Sequence, residues 1–431
     1  MRPKLYLLLA WLPLLATSCT DTCRETRTYR RFTPMTLSTA QIRQGVQSEP
    51  TRTLVNPGKL YTKDGFLFIN ELKEGIHIVD NRDPAAPRMV SFLRIPGNGD
   101  IAIRNNILYA DSYMDLLTFD ISDPQNVREL KRVENVFPNG QLDGGWWTLD
   151  AQRQLVNDQK VDYVTETVKT NCDGPVMNWP QTWTSLTSGS WSSFSTASFD
   201  NASAALNSSG TGGSMARFAL YDHYLYTVSQ TAMQLFDIRN PADPQLGNNI
   251  NLGWNIETIF PYKDKLFIGS QTGMQIFDNS NPEKPVQMAT FQHARVCDPV
   301  VVHEDKAYVT LRSGTSCQGF TNQLDVVDIS NLYSPRLLKS YPMKNPHGLS
   351  VDFPNLFICE GAYGLKTLNA QDAMNISELE HLEGFHAYDV IALGKTLLLI
   401  GQDGFYQYDY SNPRKLRLLS KIPVKRPYTV S

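Results

Sequence analysis

Seven ionisable residues recur at one register of this 431-residue chain: Lys59, Asp100, Arg217, Glu257, Asp298, His347 and Asp389. They are found by aligning apolar segments on Leu67, Ile107, Leu225, Leu266, Ala307, Leu356 and Leu398 and counting back seven to nine residues. Brought to one level of a channel, such groups could bind a cation, a polar sugar or a charged peptide end. A carboxylate pair drawn from Asp100, Glu257, Asp298 and Asp389, with His347 as partner base, would suit hydrolysis or elimination on a glycan or peptide. The same mixture of Lys, Arg and acid also fits a closed ion-pair network that merely plugs a wet channel. Structural, binding and catalytic readings all stay open. Trp254, Arg295, His386 and Tyr388 fall beside the ring, and aromatics next to carboxylates and amides suit carbohydrate or peptide recognition.

These residues converge only if the chain is a ring of repeats. A short apolar run ends at Asp80, Asp120, Asp237, Asp278, Asp328 and Asp409, with Asn369 standing in once. Three residues later comes Asp83, Asp123, Asn240, Asn281, Asn331, Asp372 or Asn412. Proline follows the anchor at the fourth position in five copies and at the seventh in four. Asp and Asn bond their own backbone in Asx turns, and Pro presets φ and cannot extend a ladder, so each anchor marks a turn from a third strand into an outer fourth. The steps between anchors are 40, 117, 41, 50, 41 and 40. A period near forty with four short strands per copy indicates an all-β, seven-bladed β-propeller over residues 54–431. Six or eight blades stay open, because the long step could hide a degenerate copy.

The long step locates an insertion at 138–214, between the second and third repeats. It holds five of the seven Trp residues. Its first half is expected to be ordered and its Ser/Thr/Asn/Gly/Ala-rich second half mobile. A connection from an outer strand to the next inner strand lies on the face where inner strands begin, so the insertion should sit over or beside the ring. Its Trp residues would then either pack it down or touch a ligand.

The cores Ile-His-Ile-Val-Asp80, Leu-Asp-Val-Val-Asp328 and Met-Gln-Ile-Phe-Asp278 resemble the LVIVD repeat of bacterial surface lipoproteins, notably of the Bacteroidetes. The resemblance implies a propeller and an envelope location but no particular activity. The N-terminus agrees with it. Arg2 and Lys4 precede an apolar stretch at 5–16, too short to span a bilayer as a mature helix, and Leu15-Ala-Thr-Ser-Cys19 resembles a lipobox. The expected organisation is a signal peptide at 1–18, lipidation at Cys19, a polar tether at 19–53, and an outer-membrane or cell-surface location.

Setting Cys19 aside leaves Cys23, Cys172, Cys297, Cys317 and Cys359, an odd number, in the oxidising compartment that the N-terminus implies. Cys297 and Cys317 flank one hairpin and are expected to form a disulfide, whereas Cys359 reads as a buried small hydrophobe. No cofactor motif appears: zinc spacing, GxSxG and HExxH are absent, and 210–215 is Gly-rich without a βαβ context. A net charge of −3 supplies no basic footprint for nucleic acid. The expected partners are a membrane, reached through the lipid, and a glycan, peptide or envelope protein at the channel mouth. The chain reads as a binding or scaffold module, with a carboxylate-dependent envelope hydrolase or lyase as the alternative.

Overall fold

The computed structural model describes residues 22–171, 184–185, 211–212, 216–271, 273–292, 299–312, 322–425 and 429–430. Seven antiparallel four-stranded meanders run in chain order, and a separate sheet is built from the insertion and the N-terminal segment. The innermost strands of the meanders are Pro57–Lys63, Ile101–Arg104, Phe218–Tyr221, Ile256–Tyr262, Val300–His303, Leu349–Asp352 and Ala387–Leu393. Each contacts the next in that order. Second strands such as Phe66–Glu71 and Thr396–Gly401 are near-continuous apolar runs, buried almost end to end because a neighbouring meander covers each face. Fourth strands such as Val286–Gln292 and Arg417–Pro423 alternate between exposed and half-buried. Burial thus falls from the innermost strands to the rim, as in a propeller-like fold.

The anchor residues turn the chain as their chemistry requires. In all seven meanders the anchor Oδ1 accepts a hydrogen bond from the backbone N–H two residues on, at 2.8–3.2 Å, including Asn369 from Gln371. The second Asp or Asn does the same, from Asp83 to Asn412, at 2.8–3.3 Å. The residue after each anchor donates its N–H to the turn joining the first and second strands, as Asn81 does to Gly65 O and Tyr410 to Lys395 O. Every third–fourth strand pair then carries a register shift that puts an extra residue in the fourth strand, which raises local twist.

The motif also joins meanders. The carbonyl at its fourth position accepts a side-chain bond from the preceding meander: Pro124 from Ser91, Pro241 from Tyr109, Pro282 from Tyr226 and Ala373 from Tyr341, at 2.6–2.9 Å. Ser420 donates to Pro84 O at 2.6 Å, so the last meander meets the first in the same way. Asn81 and Gln407 exchange two amide bonds across that junction. Val424 forms a parallel bridge to Leu54, Lys425 N donates to Leu54 O at 2.7 Å, and Thr429–Val430 runs parallel to Val164 and Thr165.

The expectation of a polar tether at 19–53 is corrected. Thr22–Ser38 is one 17-residue strand, paired along its whole length with Leu155–Asn171 of the insertion. It is followed by a helix, Thr39–Gln44, opened by a capping box between Ser38 and Gln41, and by Gln47–Glu49 on the outer strand of the first meander. Thr and Arg read locally as tether, but β-branched Thr favours a strand once a partner is supplied. The first half of the insertion is ordered as expected, in Asn139–Leu142, Gly145–Asp150 and Leu155–Asn171. Most of its second half, Cys19, Cys297 and Cys317 lie outside the described residues. Cys359 is a free thiol with no exposure.

Two expectations follow. Truncation after Pro423 removes the Leu54 pairing and should lower the thermal midpoint by several degrees; an unchanged midpoint would show that the tail takes no part in joining the ends. The turn hydrogen bonds hold the carboxyls of Asp120, Asp278, Asp328 and Asp409 below their ordinary value: Ser122, Ser280, Ser330 and Ser411 donate first, and Arg128, Lys265, Lys306 and Arg417 assist. A depressed carboxyl contributes stability above its unfolded value near 3.9 and loses it as pH falls through the folded value. Asp409→Asn, copying Asn369, should therefore keep the turn at pH 7 yet shrink the loss of stability between pH 4 and pH 2, measured by urea unfolding.

Candidate functional site at the mouth of the inner strands

Antiparallel meanders place the starts of first strands, the ends of second strands and the connections between units on one face, opposite the Asx turns. Strand pairing corrects two alignment points. The residues opposite the one before each anchor are Leu67, Leu108, Leu225, Leu266, Ala307, Leu356 and Leu397, so Ile107 and Leu398 are each one position off. Uninterrupted apolar runs carry no alternation from which to read register. In the observed register Lys59, Asp100, Arg217 and Asp389 all lie eight residues before these points, and Glu257 and His347 lie nine before, one step nearer the mouth. Glu257 sits in a bulge between Ile256 and Thr258. Asp298 and Arg295 lie outside the described residues.

The described ring residues form linked groups rather than one cluster. In the first, Lys59 Nζ contacts Asp100 Oδ2, which also accepts the Arg217 backbone N–H at 2.7 Å, tying three consecutive inner strands together. Burial draws Lys59 below and Asp100 above their ordinary values, while their mutual contact opposes both shifts. Asp111, absent from the sequence-based set, stands beside them. Its Oδ1 accepts from Asn98 Nδ2 and from the Gly99 and Asp100 amides at 2.7–2.9 Å. Burial outweighs those amide bonds and pushes Asp111 up to about 6. A cavity of ≈ 70 Å³ opens here, lined by Lys59, Asp100, Asp111 and Arg217 and roofed by the insertion hairpin.

That hairpin is fixed in place. Arg217 Nη1 donates to Gln141 O at 3.4 Å, and Gln230 Nε2 to Gln141 Oε1 at 3.2 Å. Trp147 is buried edge-on to Tyr113, 5.4 Å between centroids, so it packs the insertion down. Trp146 and Trp254 are exposed, whereas Trp179, Trp183 and Trp191 lie outside the described residues. Buried Arg30 holds Asp143 of the hairpin turn, and Asp158 binds both Lys73 Nζ at 2.8 Å and Tyr113 OH at 2.6 Å.

The second group centres on His347. Asn345 Nδ2 and Arg312 Nη1 approach its Nε2 at 3.3 and 3.5 Å, which assigns Nε2 as acceptor and the imidazole as neutral. Burial, with the Arg312 charge second, lowers its pKa well below the ordinary value. Tyr388 stands edge-on to His347 at 5.7 Å, and His386 lies 6.4 Å from Tyr388. Gln271 Nε2 donates to Glu257 Oε1 at 3.0 Å. Asp389 seats against the neighbouring unit at Gly348, where a Cβ would lie 2.0 Å from Oδ1. Arg312, Gln271 and Asp111 were missed because only the starts of first strands were aligned. Aligning the ends of second strands would have shown a second row of polar side chains: Glu71, Asp111, Gln271, Arg312, Glu360 and Gln402. Among the described residues no group of three or more His, Cys, Asp or Glu could hold a metal ion.

A model of the LVIVD repeat matches residues 316–342. A search of curated proteins finds no match. The chain is similar in structure to the computationally designed protein Ika8, at TM-score 0.50 and 8% identity, covering 86% of this chain and 88% of that one. It is also similar to a functionally unknown protein from Desulfotomaculum acetoxidans DSM 771, at TM-score 0.50 and 10% identity, covering 86% and 100%. These likenesses concern the fold alone.

Asp111 carries a testable consequence. Its raised pKa means the folded state binds its proton more tightly than the unfolded chain, so stability falls as pH rises from about 4 through about 6. Asp111→Asn keeps an acceptor for the three donors and abolishes that titration. Relative to wild type the variant should gain stability between pH 4 and pH 7, by up to about 3 kcal/mol, in urea titrations at both pH values. Parallel pH curves for the two proteins would show that the carboxyl is not held protonated.

Proposed function

We propose that the seven meanders close into a seven-bladed propeller, carried on a bacterial envelope by a lipid at Cys19, which works as a binding module. Its site is the mouth where the inner strands begin. The observation that carries this reading is the convergence of Arg312, His347, Asn345 and Tyr388, from the fifth, sixth and seventh units, on one face. Among the described residues Asn345 and Arg312 meet His347 at 3.3 and 3.5 Å, longer contacts than those of the tightly bonded Lys59–Asp100 group. The junction between last and first meanders, through Ser420 and Asn81, supports closure. The LVIVD match and the motif around Cys19 support an outer-membrane or surface location, with the lipid as membrane attachment. No helix of the described residues is long and apolar enough to cross a membrane. Glycans, peptides and envelope proteins are the partner classes that the polar and aromatic lining suits.

The division of labour between the two groups shapes the test. Lys59 and Asp100 staple adjacent inner strands, so their loss should destabilise the fold. His347 is buried and meets Arg312 and Asn345 at 3.5 and 3.3 Å, so its loss should disturb the proposed binding group rather than a staple between strands. A thermal-shift screen of the full chain in detergent against glycans, peptides and divalent metals, repeated with His347→Ala, separates these roles. A ligand that raises the wild-type midpoint but not that of His347→Ala supports the site. A ligand that stabilises both proteins equally would move binding elsewhere.

A further inference from the structure

Among the described residues, Arg312 is the guanidinium at the mouth with the least internal compensation. Among the described residues no carboxylate lies within ion-pair distance of it, and its one hydrogen-bond contact is the 3.5 Å approach of Nη1 to His347 Nε2. A guanidinium has five N–H donors in a planar fork, and the described residues engage only one of them. It is half-buried, which leaves it reachable, and burial pulls its pKa below the ordinary value, with Glu257 the first charge to offset that. Asn345 shares the same imidazole nitrogen at 3.3 Å and has a second amide hydrogen to give. Arg217, also at the mouth, already serves Gln141 of the overlying hairpin.

We propose that Arg312 and Asn345 form a carboxylate-binding subsite within the channel mouth, selective for monoanionic ligands. This rests on the reading of the mouth as a binding site and names the chemistry it reads. A carboxylate matches the fork of Arg312 with two parallel hydrogen bonds. Glu257 and Asp389 are carried by flanking inner strands, so a dianion such as phosphate would meet repulsion that a single negative charge largely avoids. The neutral imidazole of His347 adds no positive charge, which keeps the subsite matched to one anion. Tyr388 and His386 give the body of the ligand an aromatic wall. A sugar acid and a peptide C-terminus both present this group.

Calorimetric titration of the full chain in detergent with D-galacturonate and with N-acetyl-dialanine distinguishes the two sources. D-galactose and the amidated dipeptide are neutral controls, and inorganic phosphate is the dianion control. At least one acid should bind tenfold or more tighter than its neutral counterpart and than phosphate. Arg312→Gln should erase that preference, and Arg312→Lys, which keeps charge but not the fork, should retain part of it. The melting transition of each variant verifies folding before titration. Equal binding of acid and neutral ligands that survives Arg312→Gln but is lost in His347→Ala would overturn the subsite while leaving the mouth as the site. Absence of binding by both acids would overturn the subsite as well.

Discussion

The fold depends on one repeated interaction, a side-chain carbonyl or carboxylate oxygen of Asp or Asn accepting the backbone N–H two residues ahead. It ends the third strand, reverses the chain and starts the fourth strand with an extra residue that twists it outward. Apolar burial favours stacking the meanders but is non-directional. The turn supplies direction. It also presents a carbonyl, at the proline position in most copies, to a Tyr or Ser of the preceding unit. Local turn and long-range junction are therefore made by the same few residues, and Asn369 shows that the geometry needs the acceptor oxygen rather than the charge.

This chemistry gives the molecule two unlike faces. On one, short turns are bonded to each other and tolerate little change. On the other, connections between units carry no repeated turn, so the insertion can enter there without disturbing a junction. Ionisable side chains gather on that second face, where burying them costs free energy that must be offset locally. Lys59, Asp100 and the Arg217 amide offset it by bonding one another across three inner strands. Among the described residues, Arg312, His347 and Asn345 do so far less completely. Polar residues at one sequence register thus have two physical characters, tightly bonded around Asp100 and more sparsely bonded, among the described residues, around His347.

Much of this was legible in the residues. The anchors, the four-strand period, the place of the insertion and its position above the inner strands follow from turn chemistry and spacing. The ring residues were found by counting, and two of seven alignment points slipped by one because Ile107-Leu108 and Leu397-Leu398-Leu399 lack alternation. The polar row at the ends of second strands was present in the sequence but needed a second alignment. The N-terminal segment was misjudged for a different reason. Its strand character comes from Leu155–Asn171, more than a hundred residues away, and composition near residue 30 cannot report a partner at that distance.

The sequence by itself determined the repeat, its turns and the order of strands within each copy, because these depend on φ preferences, side-chain acceptors and apolar runs within a few residues. Tertiary structure alone decided which charges meet. Whether Asp100 bonds Lys59, whether Arg312 meets His347, and whether residues 22–38 hang free or form a ladder depend on distances between segments far apart in the chain. Electrostatic and hydrogen-bond energies change steeply over an ångström, and linear spacing does not resolve an ångström.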